Sequence, residues 1–307
     1  DEDIQNLGRR VEAGNYRDGK GQSKQQSVFD QYVQRMMQDY SGKKALRVAW
    51  DPGNGAAGEV TDALVKKLPG EHFVINSKID GTFPAHHPDP TVEKTLVQLK
   101  ELVADNDCDL GIGFDGDGDR IGVVDKLGNV MWGDQLLVML ARDVLADHPG
   151  APILCDVKAS RVFFDEIEKM GGKPVMWKAG HSHIKSKMAE LKSPLAGEMS
   201  AHIFFKHRYY GYDDAIYTAV RLLSVIANSD ESFTEMLAAL PKMYNTPEIR
   251  FDCPDERKFK VVDEIVARAR ALEGVEIFDM DGVRVETPEG WWLLRASNTQ
   301  PMLVVRC

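Results

Sequence analysis

The sequence predicts an α/β protein: two similar α/β units built on mixed or parallel sheets, followed by a small α+β unit. Three observations carry this. Short apolar segments alternate with amphipathic helical segments from about Val28 to Leu240, the rhythm of a sheet whose strands are joined by covering helices. The rhythm runs once to about residue 128 and starts again after Asn129. From about residue 244 the pattern changes to a strand, one helix and then short strands separated by Gly and Pro turns.

Each element follows from its local pattern. A short helical piece and the polar run KGQSKQQS occupy the first residues, and the run reads as linker. In the first unit an amphipathic helix spans Val28 to about Tyr40. The strand LRVAW follows at 46–50, then the Gly-rich turn DPGNGAAG and a helix to about Leu68. A second strand is expected at His72–Asn76, then the Pro-bracketed loop FPAHHPDP. A helix from Thr91 to Ala104 leads to the strand DLGIGF, which ends in the loop GFDGDGDR at 113–120. In the second unit the order is a helix at Gly133–Asp147, PILCDV, a helix at Arg161–Met170, KPVMW and a helix at His181–Lys192. PLAGEMS and two helices between Asp213 and Leu240 complete it. The third unit reads as a strand, a helix at Glu256–Leu272 and the strands VEIF, VRVET, WWLLRAS and MLVVR.

Composition narrows the function. With 307 residues and 43% hydrophobic content the chain can bury two or three cores. A net charge of −10 without any run of Lys and Arg argues against nucleic acid as a partner, while a local basic pocket still leaves room for a small anion. The longest apolar stretch, 215–227, is interrupted by Arg221 and falls short of a bilayer span, so no membrane partner is expected. Asp1–Asp3 are acidic where a secretory leader would be basic. Cys108, Cys155, Cys253 and Cys307 lie far apart, which suits a reducing cytoplasm and neither a zinc site nor a disulfide scaffold.

The chemistry is concentrated in loops. Asp115, Asp117 and Asp119 offer hard carboxylate oxygens, and the glycines between them let the backbone curl until all three face one cation. This points to a divalent metal, Mg2+, with an acidic surface turn as the alternative. A calcium EF-hand is excluded, because Arg120 and Lys126 stand where that loop needs Gly and Glu. Arg120 either neutralises the carboxylates or faces a phosphoryl group in transfer. In GEMSAH, Glu198, Ser200 and His202 suit the hydroxyls of a sugar, the alternative being a solvated loop or a cap on the next helix. In RASNTQP, Arg295, Ser297, Asn298 and Thr299 suit a phosphate, the alternative being a polar turn. Lys158 and His181 taken alone read as surface side chains, and His86–His87 between prolines as a rigid turn.

Read in order, DPGNGAAG, FDGDGDR, GEMSAH and RASNTQP resemble the α-D-phosphohexomutases, in particular their bacterial phosphomannomutase/phosphoglucomutase branch. HHPDP, VKAS and WKAGHS stand between them, and the likeness runs from about Val28 to Arg306. The resemblance implies that Asp115, Asp117 and Asp119 bind Mg2+ and that Arg120 sits beside the reacting phosphoryl group. It implies that Lys158 and His181 lie at the transfer centre, that Glu198, Ser200 and His202 read the sugar, and that Arg295, Ser297, Asn298 and Thr299 hold the phosphate that does not react. The implied reaction interconverts hexose 1- and 6-phosphates through a phosphoserine, with a hexose 1,6-bisphosphate as intermediate and activator. Carbohydrate metabolism in the cytoplasm is the implied setting.

Three departures accompany the likeness. No Ser-His-Asn-Pro segment, which carries the family's nucleophile, occurs in this sequence; the sequence stops at Cys307, directly after the strand following the phosphate loop, where the family usually continues into a closing helix; and Ala201 stands where the family usually has glycine. The division expected is therefore a flanking segment at 1–26 left from a missing N-terminal domain, then a metal-binding unit at 27–128 and a sugar-binding unit at 129–243. A shortened phosphate-binding unit at 244–307 completes it. The chain by itself is expected to be inactive, and a phosphosugar- and Mg2+-binding fragment without catalysis is the second reading. An aspartyl-phosphate phosphatase is the third, suggested by the strand ending in D-x-D at Phe114–Asp117.

Overall fold

Helix α1 (Glu2–Glu12) buries none of its residues, and the polar run after it forms no regular element. The computed structural model describes residues 2–307 apart from 243, 245, 247, 298 and 299. In the first unit α2 (Phe29–Met37), β1 (Leu46–Asp51), α3 (Gly58–Leu64) and β2 (Gly70–Val74) follow one another. A 3-10 turn at Glu93–Leu96 then leads into α4 (Val97–Asp105), β3 (Leu110–Phe114), β4 (Ile121–Asp125) and β5 (Val130–Met131). The strands lie in the order β2-β1-β3-β4-β5, with β1 parallel to β2 and β3, and with β4 and β5 antiparallel.

The second unit repeats the plan. Its elements are α5 (Gly133–Asp147), β6 (Pro152–Asp156), α6 (Arg161–Lys169), β7 (Lys173–Trp177), α7 (His181–Leu191), β8 (Leu195–Gly197) and β9 (Ile203–Phe205). They form the sheet β7-β6-β8-β9, in which β9 alone is antiparallel to its neighbour. Each unit thus has a central strand, β1 or β6, and a hairpin at one side, β3–β4 or β8–β9. The acidic loop is the turn of the first hairpin and GEMSAH the turn of the second.

Helix α8 (Ala215–Asn228) is apolar almost throughout and starts where the Asp214 carboxylate accepts the Tyr217 N–H at 2.8 Å. With α9 (Phe233–Ala238) it closes the unit. One core runs without a break from Val48 and Trp50 through Leu137 and Ala141 of α5 to Ile153, Ile203 and Leu223. The two sheets therefore share helices, α8 packing on α2, α5, β3, β4 and β9.

The third unit is an antiparallel sheet in the order β10-β14-β13-β12-β11 with one covering helix. Its elements are β10 (Ile249–Asp252), α10 (Asp255–Ala269), β11 (Glu276–Phe278), β12 (Val283–Glu286), β13 (Trp291–Ala296) and β14 (Met302–Arg306). Arginines dock it on the turn after β6. Arg284 Nη1 donates to the carbonyls of Val157 at 2.7 Å and Ala159 at 2.6 Å, and Arg306 donates to that of Lys158. Arg161 reciprocates, donating to Glu286 at 2.9 Å and to the Thr287 carbonyl at 2.7 Å.

The predicted fold class holds, with differences in detail. The second strand begins two residues earlier than expected, and residues 91–96 are not α-helical. The Thr95 hydroxyl bonds back to the carbonyls of Asp89 and Val92, which tightens that turn. Strands β4 and β9 were not foreseen, because each is a short apolar run directly after a loop whose residues were read for their chemistry and not as the turn of a hairpin. Among the described residues no helix is long and apolar enough to cross a membrane.

Candidate active site

Strand β3 delivers Asp115 to the mouth of its hairpin, where the residue is 1% exposed. Its Oδ1 accepts the backbone N–H groups of Gly118, Asp119 and Arg120 at 3.1 Å each, and its Oδ2 accepts Arg120 Nε at 2.7 Å. Asp115 thereby caps its own loop, and Gly118 takes the left-handed turn at φ 80°. Burial pushes this carboxyl up to about 6 against the opposing pull of Arg120. One carboxylate oxygen from each of Asp115, Asp117 and Asp119 lies within 4.8 Å of the others. The all-oxygen donor set fits Mg2+.

The turn after β1 seats this loop. Ala56 N–H donates to the Gly116 carbonyl at 2.9 Å, and a Cβ at Gly55 would fall 2.7 Å from that oxygen and 2.8 Å from the Asp115 carbonyl. Buried Asp51, at the end of β1, pairs with His86 at 2.8 Å and fixes the loop that carries Asp89. Asp89 Oδ1 in turn accepts Arg120 Nη1 at 3.2 Å, so the Arg120 guanidinium lies between two carboxylates.

The second hairpin meets the first. Arg120 and His202 form an antiparallel bridge, and Ile121 N–H donates to the Ala201 carbonyl at 3.3 Å. His202 Nε2 lies 3.3 Å from Asp119 Oδ1, and its Nδ1 lies 3.0 Å from Glu198 Oε2 and 3.0 Å from Ser200 Oγ. Burial acts to lower the His202 pKa, but hydrogen bonds and charge from Asp119 and Glu198 overcome it and push it up to about 9. The ring is thus an imidazolium between a carboxylate of each loop. Burial acts to raise the Glu198 pKa, yet His202 and the Gly180 N–H, which donates at 2.6 Å, hold it below the usual carboxylate range. Glu198 is buried and β9, not a helix, follows the loop, so the solvated and helix-cap alternatives both fail.

Lys158 is no surface side chain. It is 13% exposed, with its Nζ 3.2 Å from Glu248 and 3.6 Å from Asp156. Asp156 ends β6 as Asp51 ends β1, and complete burial pushes its carboxyl up to about 6 against the charge of Lys158. His181 starts α7 and remains exposed, its Nδ1 3.8 Å from Asp213 and its ring 6.2 Å from that of His202.

The third loop is the β13–β14 hairpin. Arg295, expected at a phosphate, turns its Nε and Nη2 on Asp281, at 3.1 and 3.2 Å. Lys258 of α10 reaches under the loop to the carbonyls of Ser297 at 2.7 Å and Gln300 at 3.0 Å. Ser297 Oγ accepts the Gln300 N–H at 3.2 Å. Asn298 and Thr299 lie outside the described residues.

Comparison with known proteins gives this arrangement a lineage. Residues 30–128 match the family described as phosphoglucomutase/phosphomannomutase, alpha/beta/alpha domain II; residues 132–244 match its alpha/beta/alpha domain III and residues 248–307 its C-terminal domain. The chain belongs to the phosphoglucomutase/phosphomannomutase family. A phosphomannomutase/phosphoglucomutase of Pseudomonas putida is 43% identical over 305 residues, which are 99% of this chain and 66% of that protein. A phosphoglucomutase of Neisseria meningitidis serogroup A is 41% identical over 94% of this chain and 63% of its own length. The crystal structure of a phosphoglucomutase/phosphomannomutase family protein from Burkholderia thailandensis superposes with a TM-score of 0.94 at 40% identity, covering 100% of this chain and 65% of that one. The chain thus spans about two thirds of the length of these relatives.

Within this member of the phosphoglucomutase/phosphomannomutase family, sequence reasoning passed over Asp51, Asp89, Asp156, Lys258 and Asp281. A signal existed for two of them, since Asp51 and Asp156 both close an apolar central strand directly before a turn. Lys258 had none, because on an amphipathic helix it reads as one more solvated lysine.

Proposed function

We propose that this chain supplies the metal-, sugar- and phosphate-binding parts of a Mg2+-dependent phosphohexomutase that interconverts hexose 1-phosphate and hexose 6-phosphate. The observation that carries the reading is the contact between the two hairpins, which brings the three-aspartate loop and the Glu198–His202 loop to one place. The three sheets then divide the work, with metal binding at 27–128, sugar binding at 129–243 and phosphate binding at 244–307, and with 1–26 flanking them.

Asp115, Asp117 and Asp119 would hold Mg2+, whose charge, when bound, supplies an electrostatic counterweight to phosphoryl oxygens. Arg120, clamped by Asp115 and Asp89, presents its remaining N–H groups to the same phosphoryl group. Glu198 accepts sugar hydroxyls with an ionised carboxylate, Ser200 adapts as donor or acceptor, and His202 donates where a sugar hydroxyl takes the place of Asp119 or Glu198 at one of its ring nitrogens. Lys158 and His181 would hold or move a proton as an oxygen gains or loses the phosphoryl group. Arg295, Ser297, Asn298 and Thr299 hold the phosphate at the far end of the sugar. A fixed clamp opposite one reaction centre lets the bisphosphate be read in both orientations.

The phosphatase reading is not favoured. Asp115 Oδ1 accepts three backbone N–H groups and Oδ2 is paired with Arg120, which holds the carboxylate inside its own loop and suits a metal contact better than attack on phosphorus. As the phosphoserine segment does not occur in this sequence, the chain alone is expected to bind without turning over. The test is a pair of measurements with glucose 1-phosphate, Mg2+ and catalytic glucose 1,6-bisphosphate. Mg2+-dependent binding heat with the bisphosphate and no product are expected. Robust turnover would refute the missing-nucleophile argument, and absence of Mg2+-dependent binding would refute the site itself.

A further inference from the structure

We propose that Asp281 is the positioning residue of the phosphate clamp: it fixes Arg295 so that one edge of the guanidinium faces an incoming phosphate, and it ties that edge to the sugar loop. The inference rests on reading Arg295 as a phosphate contact. Asp281 lies in the turn between β11 and β12, and this turn is pressed onto β13. A Cβ at Gly282, which has φ 80°, would fall 2.2 Å from the Leu294 carbonyl and 2.7 Å from Arg295 Cα. Only glycine permits so close an approach.

From that turn the Asp281 carboxylate grips one side of the guanidinium. Oδ2 accepts Nε at 3.1 Å and Oδ1 accepts Nη2 at 3.2 Å. Nη1 donates to no partner among the described residues, and the side chain as a whole is 8% exposed. The far edge, Nη1 with the second N–H of Nη2, is therefore presented ready-made. A long side chain held this way has already lost the rotamer freedom it would otherwise lose on binding, which raises affinity. Its charge also acts on Asp156, the carboxylate beside Lys158, so the guanidinium is within electrostatic reach of the centre of the site.

Asp281 does a second thing with the same oxygen. Its Oδ2 accepts the Ala179 N–H at 2.9 Å, and the next N–H along the chain, that of Gly180, goes to Glu198 Oε1 at 2.6 Å. Two successive amides thus link the carboxylate behind the phosphate arginine to the carboxylate of the sugar loop. The distance between the two subsites is set through one peptide.

Calorimetry of the full chain with glucose 1,6-bisphosphate and Mg2+ tests this, using Asp281→Ala, Asp281→Asn, Arg295→Ala and the double variant Asp281→Ala/Arg295→Ala. Asp281→Ala should weaken binding by roughly ten-fold, in the range found for residues that orient a ligand-binding group. Asp281→Asn, which keeps an acceptor for the Ala179 N–H, should weaken it by less and serves if the alanine variant does not fold. The double variant should bind only a little worse than Arg295→Ala alone, because Asp281 then has no guanidinium to position and only its tie to the Ala179 N–H is still lost. Losses that add would show that Asp281 only docks the third sheet, and unchanged or tighter binding in Asp281→Ala would overturn the proposal outright. Unchanged binding in Arg295→Ala would instead remove the phosphate reading beneath it.

Discussion

Ala201 carries a measurable strain. It is buried at φ 67°, in the turn whose carbonyl receives the Ile121 N–H. An alanine in the left-handed region costs about 1 kcal/mol relative to glycine. Ala201→Gly is therefore expected to raise stability by about 1 kcal/mol in urea unfolding; no change would mean that the loop relaxes around the methyl group. Asp156 gives a pH signature. Its folded-state pKa, about 6, lies above the ordinary value, so its stabilising contribution is complete below about pH 4 and is lost as pH rises through 6. Relative to Asp156→Asn, the unaltered protein should lose stability between about pH 4 and about pH 7. A stability difference that stays flat across that window would contradict this environment. The acidic triad could be read from the sequence because its spacing has few other uses, and Glu198 only as one of several hydroxyl-binding candidates. The partners that set charge and aim, Asp89 and Asp281, are far from their arginines in the chain, and nothing local announces such a pairing.

The hairpins are where element-level reasoning was weakest and where the site is made. The parallel strands and their helices could be read from periodicity, and Gly133–Asp147 and Lys173–Trp177 fall where expected. Strands β4 and β9 escaped because their pairing depends on a loop folding back on itself, which the apolar pattern does not record. The turn after β1 belongs to the same problem. Its glycines look like ordinary turn chemistry, yet Gly55 is there so that two loops can touch. Gly55→Ala should displace the acidic loop and weaken Mg2+ binding at least about ten-fold, with little change in secondary structure. Calorimetric titration with Mg2+ checks this, and unaltered affinity would show that the acidic loop tolerates displacement.

At the scale of the assembled chain the third sheet depends on arginine. Arg284 is fully buried, lies 4.0 Å from the Trp291 ring centroid and satisfies two carbonyls of the Lys158 turn. Replacing it by methionine leaves both carbonyls without a donor, an expected loss of roughly 3 to 5 kcal/mol. Thermal unfolding of Arg284→Met should show the third unit melting before the other two, whereas a single unshifted transition would mean that it docks by other means. Such docking was invisible in the sequence, where VRVET reads as one more strand. The order of the units could be read, but the faces that join them could not.

The junction between the hairpins, where Ile121 bonds to Ala201 and His202 meets Asp119, has a further consequence. Neither turn can fray without releasing the other, so both should open as one cooperative unit, and the slow deuterium uptake of one should predict that of the other. A ligand gripping either turn would then quiet both, even where it touches only one.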